Sequence, residues 1–162
     1  MLNYKTITFD DITTQTSAVI PDGYEGFTWI AYDPLNNTYG GDVYAATGGR
    51  ALTSGTHSVK GLGFKMTLKE PGIFYVKSAV LAADSGFAEG GANMDVTVIG
   101  RLDNVDIFSK LFNSSTGYNQ GPAEVEINCN GVDEVVIYAS AIETFDVDNI
   151  VLAIRKATEE GC

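Results

Sequence analysis

Hydrophobic residues alternate with polar residues along most of this chain. Residues 62–68 carry apolar side chains at every second position, and residues 94–102 and 123–128 repeat that pattern. Because successive side chains of a strand point to opposite faces, a period of two predicts strands with one buried face. No window of 11 residues shows the 3.6-residue apolar period of a helix. The pattern therefore predicts an all-β protein.

Turn-forming residues separate these runs. Glu70-Pro71-Gly72 interrupts two of them, and Asp103-Asn104 joins two others at a spacing that predicts a hairpin. Gly100, inside a strand-like run, indicates a bulge. About ten strands are predicted, at residues 2–9, 27–32, 42–46, 62–68, 73–83, 94–102, 105–112, 123–128, 132–139 and 145–154.

The number and spacing of these strands are typical of a sandwich or barrel. The first and last strands both carry acidic ends, which indicates that the two strands lie side by side, as they do in jelly rolls. We therefore expect a two-sheet antiparallel jelly-roll β-sandwich. A single domain is expected over residues 1–155, followed by a flexible C-terminal tail at 156–162.

The charge of the chain restricts its partners. The formal net charge is −11, with only 10 Lys and Arg. Nucleic acids and anionic membrane surfaces attract clustered cations, so neither is an expected partner. No stretch of 18 apolar residues is present, which argues against membrane insertion. Acidic surfaces suit cations or neutral ligands, although solubility alone also accounts for them.

Six segments form a recognisable series along the chain, at residues 7–11, 20–29, 77–83, 96–103, 131–135 and 145–150. In this order they resemble a family of exported bacterial and fungal proteins that includes proteins with PEP-CTERM sorting tails. The family pattern runs FDD, IPxGYxGFxW, a central strand reading NSAYLTAAW, VxGYLDG, GVDEVxF and DNI. The wider similarity is to galactose-binding-like jelly rolls and carbohydrate-binding modules. The usual Trp after the central strand is missing, because Ala82-Ala83 runs into Asp84-Ser85.

A structural calcium site is expected where the terminal strands meet. Calcium binds six to eight oxygens, several of them from carboxylates. Asp10, Asp11 and Asp148 lie on the first and last strands, and the resemblance implies a structural ion at this place, as in related carbohydrate-binding modules. The alternative is that Asp10-Asp11 caps a turn and Asp148 accepts hydrogen bonds from backbone amides.

An aromatic ligand surface is the second candidate site. Sugar rings have apolar faces and hydroxyl edges, which suit aromatic side chains beside amide and carboxylate groups. Tyr39, Phe87 and Tyr118 have Gly or Asn neighbours and are predicted to be exposed, with Asp84 and Asn119 as polar partners. Large aromatic residues are usually buried, so two others are interpreted as core, namely Phe27 and Trp29.

Signals for catalysis are weak. The single histidine, His57, lies in a polar turn and is interpreted as a solvated loop residue. No GxSxG motif is present, and Cys129 and Cys162 have no metal-ligand or catalytic spacing. Glycoside hydrolysis needs two carboxylates at a set separation, and the sequence neither identifies nor excludes such a pair.

These observations favour a non-catalytic binding module of an exported or cell-surface protein. Carbohydrate is the expected ligand, with calcium as a structural cofactor and a glycan or surface protein as the partner. One alternative is a structural, self-assembling interaction protein, because apolar aromatic loops would also suit protein contacts. A hydrolase with an unrecognised carboxylate pair is the less favoured alternative.

Overall fold

The computed structural model describes residues 2–12, 15–47, 57–83, 95–112, 123–139 and 145–157. Within them, thirteen strands and one 3₁₀ turn, Tyr24–Gly26, follow one another. The strands are β1 (Lys5–Ile7), β2 (Ser17–Val19), β3 (Phe27–Asp33), β4 (Thr38–Tyr39), β5 (Tyr44–Ala46), β6 (Ser58–Gly61), β7 (Gly63–Leu68), β8 (Gly72–Ala83), β9 (Val96–Leu102), β10 (Val105–Phe112), β11 (Ala123–Val132), β12 (Glu134–Ala139) and β13 (Phe145–Lys156).

The strands form two antiparallel sheets. The first sheet has the order β11-β8-β13-β6-β5-β2, with β1 also paired to β13. The second has the order β10-β9-β12-β7-β3-β4. Alternate residues of both sheets point inward and form one buried cluster, which includes Phe27, Trp29 and Phe64. The structure confirms the predicted all-β sandwich and the interpretation of Phe27 and Trp29 as core.

The prediction of about ten strands was too low for the described residues. It missed β2, β4 and β6, which have two to four residues each. Segments this short contain too few positions to show an alternating pattern, so only pairing with a neighbouring strand defines them. The predicted strand at 2–9 is also shorter than expected. Phe9 has a φ of 62°, which ends the extended conformation after Ile7.

The first and last strands lie side by side, as the sequence predicted. β1 pairs with residues 150–152 of β13, and β6 pairs with residues 145–147 on the same side. The ends of β1 and β6 therefore converge on Asp148 and Asn149. Asn149 has a φ of 47°, and the pairing of β13 with β8 shifts between Asp148 and Val151. This bulge leaves both Val147 and Ile150 facing the core.

The hairpin predicted around Asp103-Asn104 is present, with both residues at positive φ. The irregularity expected at Gly100 lies in the opposite strand, between Asp106 and Phe108. Gly100 instead serves close packing, because a Cβ at this position would lie 2.5 Å from Sγ of Cys129. Cys129 is a buried free thiol among the described residues, and burial raises its pKa to about 11.

The last strand extends one residue beyond the predicted end of the domain at 155. Lys156 pairs with Gly72, and the N–H of Ala157 donates to the carbonyl of Pro71 over 2.9 Å. The remaining tail positions, 158–162, lie outside the described residues, as does Cys162. In the described part of the chain, no helix has the length and apolar character needed to cross a membrane.

Candidate functional site

The junction of the terminal strands brings two of the predicted metal ligands together. We define the terminal junction as Asp10, His57 and Asp148. Asp10 follows β1, and its Oδ1 accepts a hydrogen bond of 2.8 Å from the backbone N–H of His57, just before β6. Asp148 lies on β13 between the ends of these strands, and the charge of Asp10 acts on its carboxyl group. Two carboxylates from distant parts of the sequence therefore share one site.

Asp148 has an unusual environment for an acid. Its side chain is 0% exposed, and among the described residues neither carboxylate oxygen has a hydrogen bond of regular geometry. Burial raises its pKa to about 7; the Asn149 backbone N–H opposes this rise, and the nearby charge of Asp10 adds a lesser contribution to it. A buried polar group without partners is costly. A cation would remove this cost.

Asp11 has a different role from Asp10 in the structure. It is exposed, and its Oδ1 accepts a hydrogen bond of 2.6 Å from the hydroxyl of Tyr24. Burial and this bond raise the pKa of Tyr24 above its ordinary value. Tyr24 packs against Phe9, with ring centroids 5.9 Å apart. Asp11 therefore helps to fix the turn after β1, and its predicted role as a metal ligand stays a prediction.

The interpretation of His57 as a solvated loop residue was wrong. His57 is 2% exposed, and its Nε2 lies 2.7 Å from the carbonyl oxygen of Gln15. Because a carbonyl can only accept, this bond places a proton on Nε2. The polar sequence around His57 suggested exposure, whereas the convergence of β1 and β6 on β13 buries the residue.

The terminal junction offers two carboxylates, but it is not a complete set of side-chain ligands for a cation. Among the described residues, no three His, Cys, Asp or Glu side chains form a metal-binding group. Asp10 and Asp148 would supply two carboxylates, so backbone carbonyls would have to supply the other oxygens that calcium needs. The buried carboxylate of Asp148 is the observation that favours a cation here.

The outer face of the second sheet carries a cluster of three tyrosines. We call Tyr32, Tyr39 and Tyr138 the tyrosine platform. The ring centroids of Tyr32 and Tyr39 lie 4.5 Å apart, and those of Tyr32 and Tyr138 lie 5.3 Å apart. Tyr39 is 38% exposed, at the edge strand β4. The platform is a partly exposed aromatic surface that reaches the edge of the second sheet.

The pairing of strands explains how these rings meet. Tyr39 is opposite Tyr32 across β4 and β3, and Tyr138 is opposite Gly63 on β7. A Cβ on Gly63 would lie 2.7 Å from Cβ of Tyr138 and 3.1 Å from the carbonyl oxygen of Tyr32. The absence of a side chain at Gly63 therefore lets Tyr138 and Tyr32 meet across β7.

The charged side chains around the platform contact one another or the ring of Tyr39. Nη1 of Arg101 donates to the hydroxyl of Tyr39 over 3.2 Å and to Oε2 of Glu134 over 3.0 Å. Nε of Arg101 donates to Asp106 over 2.6 Å. Nζ of Lys65 lies 4.5 Å from the centroid of the Tyr39 ring, within the range of a cation–π contact. These contacts hold Tyr39 in a defined orientation.

Of the predicted ligand-binding residues, Tyr39 alone falls in the described part of the chain, and it lies in this platform. Asp84, Phe87, Tyr118 and Asn119 lie outside the described residues. Sequence reasoning missed Tyr138, Lys65, Arg101 and Glu134 as neighbours of Tyr39. They come from strands β12, β7 and β9, so only the sheet order brings them together.

The sequence matches no protein-family profile, and a search of curated proteins found no match. Among solved structures, it is similar to the xylan-binding module CBM15, at 12% identity and a TM-score of 0.45, over 96% of this chain and 99% of that one. A fucose-binding module from Streptococcus pneumoniae shows 15% identity and a TM-score of 0.40, over 90% and 95% of the two chains.

A third similar structure contains CBM22-1 and GH10 modules of xylanase 10B from Clostridium thermocellum, with 13% identity and a TM-score of 0.46. The likeness covers 92% of this chain, which spans only 28% of the xylanase chain. Because all three TM-scores are below 0.5, no conclusion about ligand or activity rests on these likenesses.

Proposed function

We propose that this chain is a non-catalytic carbohydrate-binding module of an exported or cell-surface protein. The tyrosine platform is the observation that carries the proposal. Tyrosine rings present apolar faces to the C–H face of a sugar, while their hydroxyls remain available at the edge. The platform lies on a sheet face, so a ligand would bind without ordering a mobile element.

The polar groups beside the platform suit hydroxyl recognition. Arg101 donates to Tyr39 and Glu134, and Thr67 Oγ1 donates to Oε1 of Glu134 over 2.9 Å. A sugar hydroxyl can both donate and accept, so it could join this network without leaving a group unpaired. Two acids near the platform, Asp106 and Glu134, are bonded to Arg101. Such paired carboxylates are poorly placed to protonate a glycosidic oxygen, which favours binding over hydrolysis.

Substitution of Tyr39 tests this function. Tyr39→Ala should lower the affinity for a bound glycan by about tenfold or more, because a stacked ring is lost. Tyr4→Ala is the matched control, because Tyr4 is 47% exposed and also lies beside a cation, with Lys77 Nζ 5.6 Å from its ring. Binding would be measured by a glycan array followed by calorimetric titration. Equal loss in both variants, or no glycan binding by the parent protein, would contradict the proposal.

The proposed module also has a structural calcium site at the terminal junction. Asp10 and Asp148 would hold the ion together with backbone carbonyls. The ion would offset the charge of the buried Asp148 carboxylate and connect the ends of β1 and β6 to β13. Its role would be stability, because the junction involves the first sheet whereas the tyrosine platform lies on the second.

Thermal unfolding with calcium and with EDTA tests the site. Calcium at about a hundredfold above its Kd stabilises a folded state by ~2.7 kcal/mol, which corresponds to roughly 5–10 °C for a domain of this size. Asp148→Asn and Asp10→Asn should abolish the shift. Asp11→Asn should preserve it, since Asp11 is engaged by Tyr24. Glu126→Gln, at an exposed position on β11, controls for the change in charge. The absence of a shift in metal-free parent protein would contradict the site.

One observation favours the alternative of a self-assembling protein. The edge strand β10 exposes three apolar side chains, with Val105 60%, Ile107 51% and Leu111 58% exposed. Exposed apolar edge strands are sites of strand pairing between molecules. If the chain assembles through β10, light scattering should show a dimer or larger species that Ile107→Lys disrupts. A monomer at all concentrations would argue against this alternative.

A further inference from the structure

A groove of about 750 Å³ lies at one end of the sandwich, between the turns that connect successive strands, and we call it the end groove. The β7–β8 turn contributes Glu70, the β9–β10 hairpin contributes Asp103 and Asn104, and the β11–β12 turn contributes Asp133. None of the three platform tyrosines lines it. Because its volume is within the range of pockets that hold small ligands, the end groove is a second candidate binding site.

The walls of the end groove retain exposed apolar surface. Leu68, Ile73 and Leu102 line the groove, and all three are only half-buried. Covering such surface with a ligand is favourable, because apolar groups gain by leaving water. The end groove therefore suits a ligand with an apolar face.

Negative charge exceeds positive charge in this lining. The charged lining residues are four acids and two cations, namely Glu70, Asp103, Asp133 and Glu134 against Lys69 and Arg155. Asp22 lies 2.6 Å from Nζ of Lys69 and offsets its charge. Arg101, 3.0 Å from Oε2 of Glu134, offsets the charge of that acid. Three carboxylates on three different turns then remain against one guanidinium, and this imbalance favours a cationic ligand.

Backbone groups of the turns around the end groove are bonded to one another. The N–H of Leu68 donates to the carbonyl of Asp133 over 2.9 Å, and the N–H of Asp103 donates to Oδ2 of Asp133 over 3.2 Å. The N–H of Ala157 donates to the carbonyl of Pro71 over 2.9 Å. A peptide that binds as an added strand needs unpaired backbone groups, so these bonds disfavour a peptide and leave recognition to side chains.

We propose that the end groove binds an amino sugar. The ammonium group of such a sugar is attracted to the carboxylates of Glu70, Asp103 and Asp133, and the C–H face of its ring covers the apolar wall. The side-chain amide of Asn104 both donates and accepts hydrogen bonds, which suits the ring hydroxyls. Because the end groove contains none of the platform tyrosines, this second site goes beyond the proposed function and does not depend on the platform.

Calorimetric titration with two matched probes tests the site. The probes are a glucosamine oligosaccharide and its fully N-acetylated form, which carries no charge. The parent protein should bind the glucosamine form about tenfold more tightly. Asp103→Asn and Glu70→Gln should each weaken this binding about threefold to fivefold, since a single exposed ion pair contributes little. Asn adopts left-handed conformations readily, so it suits the φ of 51° at position 103 and the variant should fold normally. Glu126→Gln, at an exposed position on β11, is the control for the lost charge and should leave the affinity unchanged.

Other outcomes would overturn the amino-sugar site. Equal affinity for the two probes would show that the ammonium group is not recognised. An equal loss in Glu126→Gln, or equally tight binding of an oligolysine peptide, would reduce the effect to general attraction by an acidic protein.

Tyr39→Ala separates this site from the tyrosine platform, because it should retain the preference for the glucosamine probe. Loss of that preference in Tyr39→Ala but not in Asp103→Asn would place the sugar on the platform, which supports the proposed function and overturns the end-groove site. Binding of the glucosamine probe without binding of any neutral glycan would overturn the platform and support the end groove.

Discussion

The two sheets of this sandwich use their outer sides in opposite ways. On the first sheet, polar side chains are buried: Asp146, Asp148 and Ser58 are each 0% exposed. Asp146 and Asp148 are opposite Ala82 and Val80, which form a small buried cluster apart from the main core. On the second sheet, aromatic groups are exposed, and the polar groups around Tyr39 are paired with one another.

This difference underlies the two proposals made above, a calcium site that stabilises the fold and a surface that binds a glycan. The carboxylate of Asp148 is fully buried, and burial disfavours its charged form and raises its pKa to about 7. The tyrosine platform needs no further group to be stable, and its exposed ring is available to a ligand. The buried carboxylate of Asp148 and the paired polar groups around the exposed ring of Tyr39 therefore suggest different roles.

The largest expected effect concerns the charge of Asp148. Its folded-state pKa of about 7 lies above the ordinary value of 3.8. The folded state therefore holds this proton more tightly. The contribution of Asp148 to stability is greatest below pH ~4, falls as the pH rises to about 7, and is constant above that. The total loss is at most on the order of 4 kcal/mol. Denaturant unfolding of metal-free protein across this range should show it.

Two comparisons isolate this effect from that of the other acids. Asp148→Asn should remove the decline, so the difference between parent and variant gives the contribution of Asp148. Saturating calcium should also flatten the difference curve, because a bound cation compensates the charge. If the stability of parent and variant changed with pH in parallel in EDTA, the pKa of Asp148 would be the same in the folded and unfolded states.

The second prediction concerns the contact between Tyr138 and Tyr32. Gly63→Ala places a methyl group against Tyr138 and two backbone carbonyls. Overpacking of this kind typically reduces the free energy of unfolding by about 1–3 kcal/mol. We expect this loss in denaturant unfolding, together with weaker glycan binding, because the rings would separate. Gly61→Ala is the control, since position 61 has room. Similar stability in both variants would show that the sheet adapts to the added methyl group.

The third prediction concerns the network that holds Tyr39. Glu134 bonds to Arg101 and Thr67, and its carboxylate lies 3.7 Å from Nζ of Lys65. The side chain of Glu134 is only 12% exposed, so solvent screens these contacts less than those of a surface pair. Glu134→Gln should reduce stability by about 1 kcal/mol and weaken glycan binding severalfold. Asp106→Asn should have a smaller effect on stability, because the Asp106 side chain is 59% exposed.

The smallest expected effect is that of Tyr24→Phe. The variant removes the hydrogen bond to Asp11 but retains the ring that packs on Phe9. The bond is exposed, and solvent-exposed contacts of a charged group contribute about 1 kcal/mol or less, so the midpoint of unfolding should fall slightly. The stabilisation by calcium should be unchanged. A loss of the calcium response in Tyr24→Phe would place Asp11 in the metal site.

Much of the fold could be predicted because its signals are local. The hairpin of β9 and β10 follows from two alternating runs and the Asp103-Asn104 turn between them, and the structure confirms it. The pairing of β1 with β13 was also predicted correctly from the acidic ends of both strands. Short strands such as β2 were missed, because three residues carry no pattern and only pairing with β5 defines them.

The alternation of apolar residues along the chain determined the all-β fold and its core, because burial of one face per strand follows directly from a period of two. Tertiary structure alone decided which polar residues are buried and which aromatic residues meet. His57 lies in a polar segment but is buried where β1 and β6 converge on β13. The neighbours of Tyr39 come from strands far apart in sequence, and no local pattern encodes which strands are adjacent in a sheet.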